Sequence, residues 1–545
     1  MWSAILQGED AEAWTAAREA ATGIAPRVLV ATSVGSHHQM MTVDTMLAVA
    51  LTLRGARVEF ALCDGALPAC IAIKHGGVPP QSLLAMPRPP RCPDCFPVGA
   101  AVVEQLGLPL NRLSAFLTDE DLATAEALAT KVAYSEIPDF QLGGAKVGEH
   151  ALAGALRYLA RGDLEAEPEG EAVLRRYFQA ALLTVLGMDR MIERRNIEIV
   201  LVNHGIYTPQ GLVREAAARR GVRIVTWNPS YKKQTLIFSH DDSYHHTMIT
   251  EDPELWEALP LDDARNAALD AYLESRRLGS HDWIWFNKEV AADSSAKLAA
   301  SGVDGTRPIV TLLTSVVWDA QLHYESNAFP GMVDWVRFTI AYFATRPDLQ
   351  LVIRIHPAEV TGSNPSRQRM ADEIARHFPT LPENVLVVPP ESALSTYVLL
   401  DRSNATLIYS TKTGIESSAR GLPTIVAGEA WIRGKGFSHD AVTPALYRQM
   451  LDRLPFENRL TSVELQRARR YAYHFFFRRM IPVELIDVGD KGRFRLEFDS
   501  LEPLRPGGSP GLDVICRGIL DGRPFIYDGP DRLIARTGDL DAAAG

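Results

Sequence analysis

Residues Asn404 to Asp440, NATLIYSTKTGIESSARGLPTIVAGEAWIRGKGFSHD, restrict the fold more than any other stretch of the chain. Ala405 to Tyr409 is a short apolar, β-prone run, and Ile415 to Arg420 is helix-forming until Gly421 and Pro423 stop it. Thr424 to Ala427 is a second apolar run. Strand, polar turn, helix and strand in that order form a βαβ unit, whose two strands are parallel. The turn Ser410-Thr411-Lys412-Thr413-Gly414 then sits at the carboxyl end of a parallel strand, where backbone N–H groups without internal partners attract anions. Phosphate suits such a turn. Ser410 and Thr411 offer hydroxyl donors, Lys412 a point charge, and Glu416, one turn into the helix, an acceptor for ribose hydroxyls.

A second element of the same kind precedes it. Asp348 to Glu359, DLQLVIRIHPAE, contains a buried-type strand over Leu351 to Ile355, and Pro357 ends it with His356 held extended. The imidazole is thereby aimed across the same carboxyl edge, where it can donate a hydrogen bond to a leaving phosphate or protonate it. Arg354 alternates with buried positions and reads either as a ligand or as a paired core arginine.

The 545 residues suffice for two or three domains, and 46% apolar with 23% charged content is that of a globular protein. A net charge of -11 argues against nucleic acid as partner. No apolar run reaches the roughly 18 residues that span a bilayer, and the acidic residues Glu9, Asp10, Glu12 and Glu19 do not fit a secretory signal. A cytoplasmic protein is expected, with the inner membrane face as a place where it works. Five cysteines suit a reducing compartment.

In the first half, RVLVA from Arg27 to Ala31, a helix from Thr42 to Leu53 and a strand from Val58 to Cys63 open a doubly wound domain, without a G-x-G-x-x-G fingerprint. Leu113 to Gly187 is mostly helical, with a break near Gly162 to Gly170. A strand from Ile197 to Asn203 ends in His204-Gly205, so His204 stands at a carboxyl-end turn as His356 does. Cys63, Cys70, Cys92 and Cys95 lie in CDGALPAC and CPDC, a spacing that admits a structural zinc site and equally a strand-end thiol with three incidental ones. SHDDSYHH, from Ser239 to His246, lacks ligand spacing on one element and reads as a solvated loop. The helix containing RARRYAYHFFFRR, within Leu465 to Arg479, interleaves basic and aromatic residues; a domain-crossing helix with core aromatics is preferred to a membrane or nucleic-acid surface.

TSVVWDA, RIHPAE, YSTKTGIESSARGLPTIV and AWIRGKGFSHD, between about Pro308 and Arg479, resemble the bacterial capsule polysaccharide biosynthesis proteins, a family that includes Kdo transferases of the GT-B type. The resemblance implies an α/β chain of two Rossmann-like, doubly wound domains facing a cleft. Residues 1–295 would form the acceptor-side domain with a helical insertion and the Cys cluster, 296–485 the nucleotide-sugar domain, and 486–545 a hairpin and tail. It further implies a glycosyltransferase using a nucleotide-sugar donor, with CMP-sugars as candidates, and a polysaccharide or glycolipid acceptor. His356 would meet or protonate the nucleotide phosphate, Ser410 and Thr411 would bind its oxygens, and Glu416 would hold ribose or base. Arg354, Lys412 and Gly414 belong to the same donor site.

No catalytic divalent metal is expected, and contact with the inner membrane or with capsule assembly proteins is. The general base stays open among Asp64, His37, His38, His204, Asp319 and Glu325. A sugar-nucleotide epimerase of the same fold, a polyol-phosphate transferase and a non-catalytic assembly factor remain as alternatives.

Overall fold

Runs of β-branched and aliphatic residues such as RVLVATS and QLVIR have no polar face, so they are stable only where helices cover both sides of a sheet. The computed structural model, which describes residues 2–21, 23–278, 282–283, 298, 301–320, 326–489 and 493–529, puts them in two such sheets. The chain divides into two α/β units.

The first unit comprises Met1–Leu159, Asp163–Thr247 and Phe477–Pro530. Its strands are β1 (Arg27–Ser33), β2 (Arg57–Leu62), β3 (Leu110–Arg112), β4 (Ile199–Asn203), β5 (Arg223–Pro229) and β6 (Thr235–His240). The order is β6-β5-β4-β1-β2-β3, with the two-residue strand Ile481–Pro482 beyond β6. β1 to β5 are mutually parallel, and β6 and Ile481–Pro482 run antiparallel at the edge. Order 3-2-1-4-5 is that of a Rossmann half-sheet with its switch point between β1 and β4. The helices Val147–Leu159 and Gly170–Arg195 supply much of the core through Leu156, Tyr158, Tyr177, Phe178 and Leu182.

The second unit contains Ala160–Gly162 and Met248–Phe476. Its strands are β7 (Ile309–Leu313), β8 (Gln350–Arg354), β9 (Val385–Val388), β10 (Ser403–Ile408), β11 (Thr424–Val426) and β12 (His439–Asp440). All are parallel, in the order β9-β8-β7-β10-β11-β12. This is the 3-2-1-4-5-6 order of a doubly wound sheet, with the switch point between β7 and β10. The register is level at the carboxyl edge: Val388, Arg354, Leu313, Ile408 and Val426 lie on one rung.

The first long stretch of the first unit ends at Thr247 and not at the expected 295, and chain order does not follow the units. Residues from Phe477 onward rejoin the first unit, where Ile481–Pro482 pairs with β6. The return is made in the π-helical turn His474–Arg479 that follows the helix Ser462–Tyr473. Its aromatics Phe475, Phe476 and Phe477 are buried. Arg469 pairs with Asp270 at 2.8 Å and Arg478 with Asp528, so this basic, aromatic stretch is core and ion pairs, as preferred above. Among the described residues no helix is long and apolar enough to cross a membrane.

Candidate active site

The level register decides what meets at the edge of the second sheet. Two residues beyond the common rung stand Ser315 after β7, His356 after β8 and Ser410 after β10, on three adjacent strands. Hydrogen bonds join the three turns. The His356 N–H donates to Thr314 Oγ1 at 3.0 Å, and the Ser315 and Ser410 hydroxyls lie 3.4 Å apart. The two phosphate-side elements recognised in the sequence therefore share one edge, at the switch point where doubly wound sheets bind ligands. Thr314 and Ser315 were not singled out beforehand, although TS directly after the strand RPIVTLL is the same signal as ST after NATLIY.

His356 is partly exposed, and its Nδ1 accepts the Ala358 N–H at 3.1 Å, so the neutral ring carries its proton on Nε2. Desolvation first, then the Lys412 and Arg354 cations, lower its pKa to about 4, and Asp319 opposes them. At neutral pH it is a hydrogen-bond donor and not an imidazolium acid.

Thr411 makes an ST turn, its hydroxyl 3.4 Å from the Thr413 N–H, and thereby starts a helix of only seven residues, Thr413–Ala419. Gly414 is closely packed: a Cβ there would lie 2.6 Å from Ile408 Cδ1 and 3.0 Å from Ile432 Cδ1, so these side-chain ends would have to move. Gly428, after β11, is tighter, since a Cβ would stand 2.6 Å from the Tyr409 carbonyl oxygen. Gly428→Ala is expected to displace Tyr409 and with it Ser410, costing roughly 1–3 kcal/mol of stability. The urea midpoint, and a weakened melting-temperature response to nucleotide, check this.

Two expected ligands face inward instead. Arg354 is 2% exposed and its guanidinium donates to the carbonyls of Pro389 and Ser392, tying the turn after β9 to the end of β8. It is the core arginine of the two readings, because its place in the strand's alternation points it into the layer beneath the edge.

Glu416 is fully buried. One carboxylate oxygen accepts Lys412 Nζ at 2.7 Å; the other accepts the Tyr397 hydroxyl at 2.6 Å and lies 3.0 Å from Arg276 Nε. Burial would raise its pKa, but Arg276 and Lys412 outweigh burial and hold it down at about 2. A carboxylate so enclosed cannot receive a ribose hydroxyl, and the cause is Arg276, far away in sequence on the helix Asp263–Leu278. Lys412 lies at the rim of this enclosure, with its side chain 13% exposed.

Of the other candidates, Asp319 lies in the second unit, where its charge acts to raise the His356 pKa, and the rest lie in the first unit or outside the described residues. Asp64 follows β2 and its carboxylate accepts the Ser114 N–H at 3.1 Å and the Ser114 hydroxyl, which engages both oxygens in fixing the turn Leu113–Phe116. His204, directly after β4, takes a left-handed backbone (φ 65°), and its ring packs tilted against Tyr207 at 4.9 Å and His245 at 5.4 Å between centroids. His37 caps the helix His38–Thr52, its ring nitrogen accepting the Met40 N–H at 3.4 Å. Glu325 falls outside the described residues.

The zinc reading meets an obstacle. Cys63 follows β2, and Cys95 Sγ accepts the Ser36 N–H at 3.4 Å and its hydroxyl at 3.3 Å. Yet among the described residues no three His, Cys, Asp or Glu side chains are grouped as a metal ion requires. Burial raises the Cys63 and Cys70 thiols and takes Cys92 up to about 11.

Residues 282–462 match the family of capsule polysaccharide biosynthesis proteins. A KpsC beta Kdo 2,4 transferase from Thermosulfurimonas dismutans aligns at 15% identity over 56% of this chain and 86% of its own, with a TM-score of 0.35. The beta Kdo 2,7 transferase of that KpsC aligns at 12% identity over 57% and 85%, with a TM-score of 0.31. A UDP-GlcNAc 2-epimerase from Neisseria meningitidis bound to UDP-GlcNAc aligns at 10% identity over 82% and 94%, with a TM-score of 0.27. These alignments are too loose to say anything of substrate, and the Rossmann character rests on the strand orders above. No curated protein sequence matches the chain. The stretch that matches the capsule polysaccharide biosynthesis proteins, residues 282–462, holds every turn of the β7/β8/β10 edge.

Proposed function

We propose that the protein is a glycosyltransferase that moves a sugar from a nucleotide donor, with CMP-linked sugars the first candidates, onto a surface polysaccharide or its lipid-linked precursor. One observation carries this reading. Ser315, His356, Ser410, Thr411 and Lys412 gather on one sheet edge at the switch point of the second unit, inside the stretch that matches the family. When the bond from the anomeric carbon to the donor phosphate breaks, negative charge develops on the leaving phosphate. Hydroxyl donors, the Nε2–H of a neutral His356 and the Lys412 ammonium, fixed in advance by the register, stabilise that charge without reorganising.

The test is a thermal-shift comparison of CMP, UDP and GDP, followed by assay of nucleotide release from a panel of sugar nucleotides with polysaccharide acceptor. One nucleotide is expected to raise the melting temperature and its sugar conjugate to be consumed only when acceptor is present. No shift with any nucleotide and no release would overturn the proposal, and acceptor-independent conversion of the sugar would replace transfer by epimerisation.

A further inference from the structure

We propose that Glu416 is a positioning residue for the phosphate site: enclosed beyond the reach of any ligand, it holds the Lys412 ammonium in place and charged at the end of β10. This rests on the phosphate reading above and replaces the ribose role expected of Glu416. The argument starts from where the two side chains are. Lys412 is the N-cap residue of the helix Thr413–Ala419, and Glu416 lies one turn later at i+4, so the two side chains share a helix face. Their 2.7 Å contact is nearly sealed, with Lys412 13% exposed and Glu416 0%.

An ammonium in such surroundings tends to lose its proton. Burial first, and the Arg276 cation second, push Lys412 in that direction, and Glu416 is the first group that opposes them. Glu416 can do so only if it stays ionised itself. Tyr397, on the helix Thr396–Arg402, and Arg276 secure this by occupying one carboxylate oxygen, which leaves the other to Lys412. Arg276 is balanced in turn by Asp282, and the Tyr272 hydroxyl donates to that carboxylate at 2.9 Å.

The cluster thus contains two cations, Arg276 and Lys412, and two carboxylates, Asp282 and Glu416. Arg276, Asp282 and Glu416 are 9%, 3% and 0% exposed, so Lys412 is its outermost member. Lys412 is also within electrostatic reach of His356, whose pKa it lowers. An ammonium carries three donors, so bonding Glu416 does not prevent it from meeting a phosphate oxygen.

Removing the carboxylate charge should therefore act on phosphate binding through Lys412 alone. Affinities of CMP, UDP and GDP, each with its parent nucleoside as the phosphate-free comparison, are measured by calorimetry from pH 6 to pH 9. The proteins are wild type, Glu416→Gln, Lys412→Met and the double variant. For Glu416→Gln the nucleotide affinity is expected to fall about tenfold at the alkaline end of this range and to recover toward wild type as the pH is lowered and Lys412 regains its proton. Nucleoside affinity should not change, and Glu416→Gln should cost nothing further in the Lys412→Met background.

Tyr397→Phe, which removes one hydrogen bond and keeps the packing, should show the same pH-dependent loss in smaller measure and serves if Glu416→Gln does not fold. Losses shared by nucleoside and nucleotide, independent of pH, or additive with Lys412→Met would overturn the inference and restore a direct ligand contact. Wild type that binds no nucleotide overturns the phosphate reading itself, and this inference with it.

Discussion

Replacing His356 by alanine is expected to lower turnover about 10²- to 10³-fold with the fold intact, the range for removing one preorganised donor at a site of developing charge. Its Nδ1 accepts the Ala358 N–H at 3.1 Å. What alanine removes is the Nε2–H and the acceptor that shapes the turn. The free enzyme should also show a pH signature. With desolvation and the Lys412 and Arg354 cations setting the ring's pKa at about 4, kcat/KM should be flat through pH 6.5 and decline only near pH 4. There protonation removes the lone pair that accepts from Ala358. A limb at pH 6.5 assigned to His356 by its loss in His356→Ala would contradict the geometry.

The largest expected change in stability lies in the first unit, at Asp44. This residue of the helix His38–Thr52 is fully buried, accepting the Thr32 hydroxyl at 2.6 Å and the Trp227 indole N–H at 2.8 Å. Burial raises its pKa from 3.8 to about 7, against the pull of those two bonds. Because the folded-state value lies above the unfolded one, the folded protein binds more protons between about pH 4 and pH 7. The contribution of Asp44 is fully present below that window and is lost as pH rises through 7. At about 1.4 kcal/mol per pH unit the loss is roughly 2–4 kcal/mol.

Asp44→Asn should remove this dependence. The amide oxygen still accepts from Trp227, and the amide N–H can donate to a rotated Thr32 hydroxyl. Urea midpoints of the variant and wild type should agree near pH 5 and separate by about 2 kcal/mol at pH 8, with the variant the more stable. Equal midpoints at pH 8 would show that Asp44 is not held against ionisation.

Much of this arrangement was legible in local pattern. QLVIR, SNATLI and TIV are strands because nothing polar breaks them, and the proline or hydroxyl-rich turns after them end each strand where it should end. The parallel βαβ order follows from such runs alternating with helices, and the common edge of His356 and Ser410 follows from the parallel order. Less legible were the strands β3, β6 and β12, each short or at an edge, and the return of the chain after Phe477 to a sheet begun at Arg27. Pairing at that distance leaves no periodic trace in either segment.

The sequence by itself determined which side chains stand at the strand ends and that those ends lie together, because alternation and chain connectivity are local matters with one steric solution. Tertiary structure decided which of those side chains face a ligand. Arg354 and Glu416 are the right residue types in the right turns, yet Pro389, Ser392, Tyr397 and Arg276, brought in from other elements, claim them first. A buried charge must be paired, and the partner that pairs it is chosen by packing across the unit and not by its neighbours in sequence.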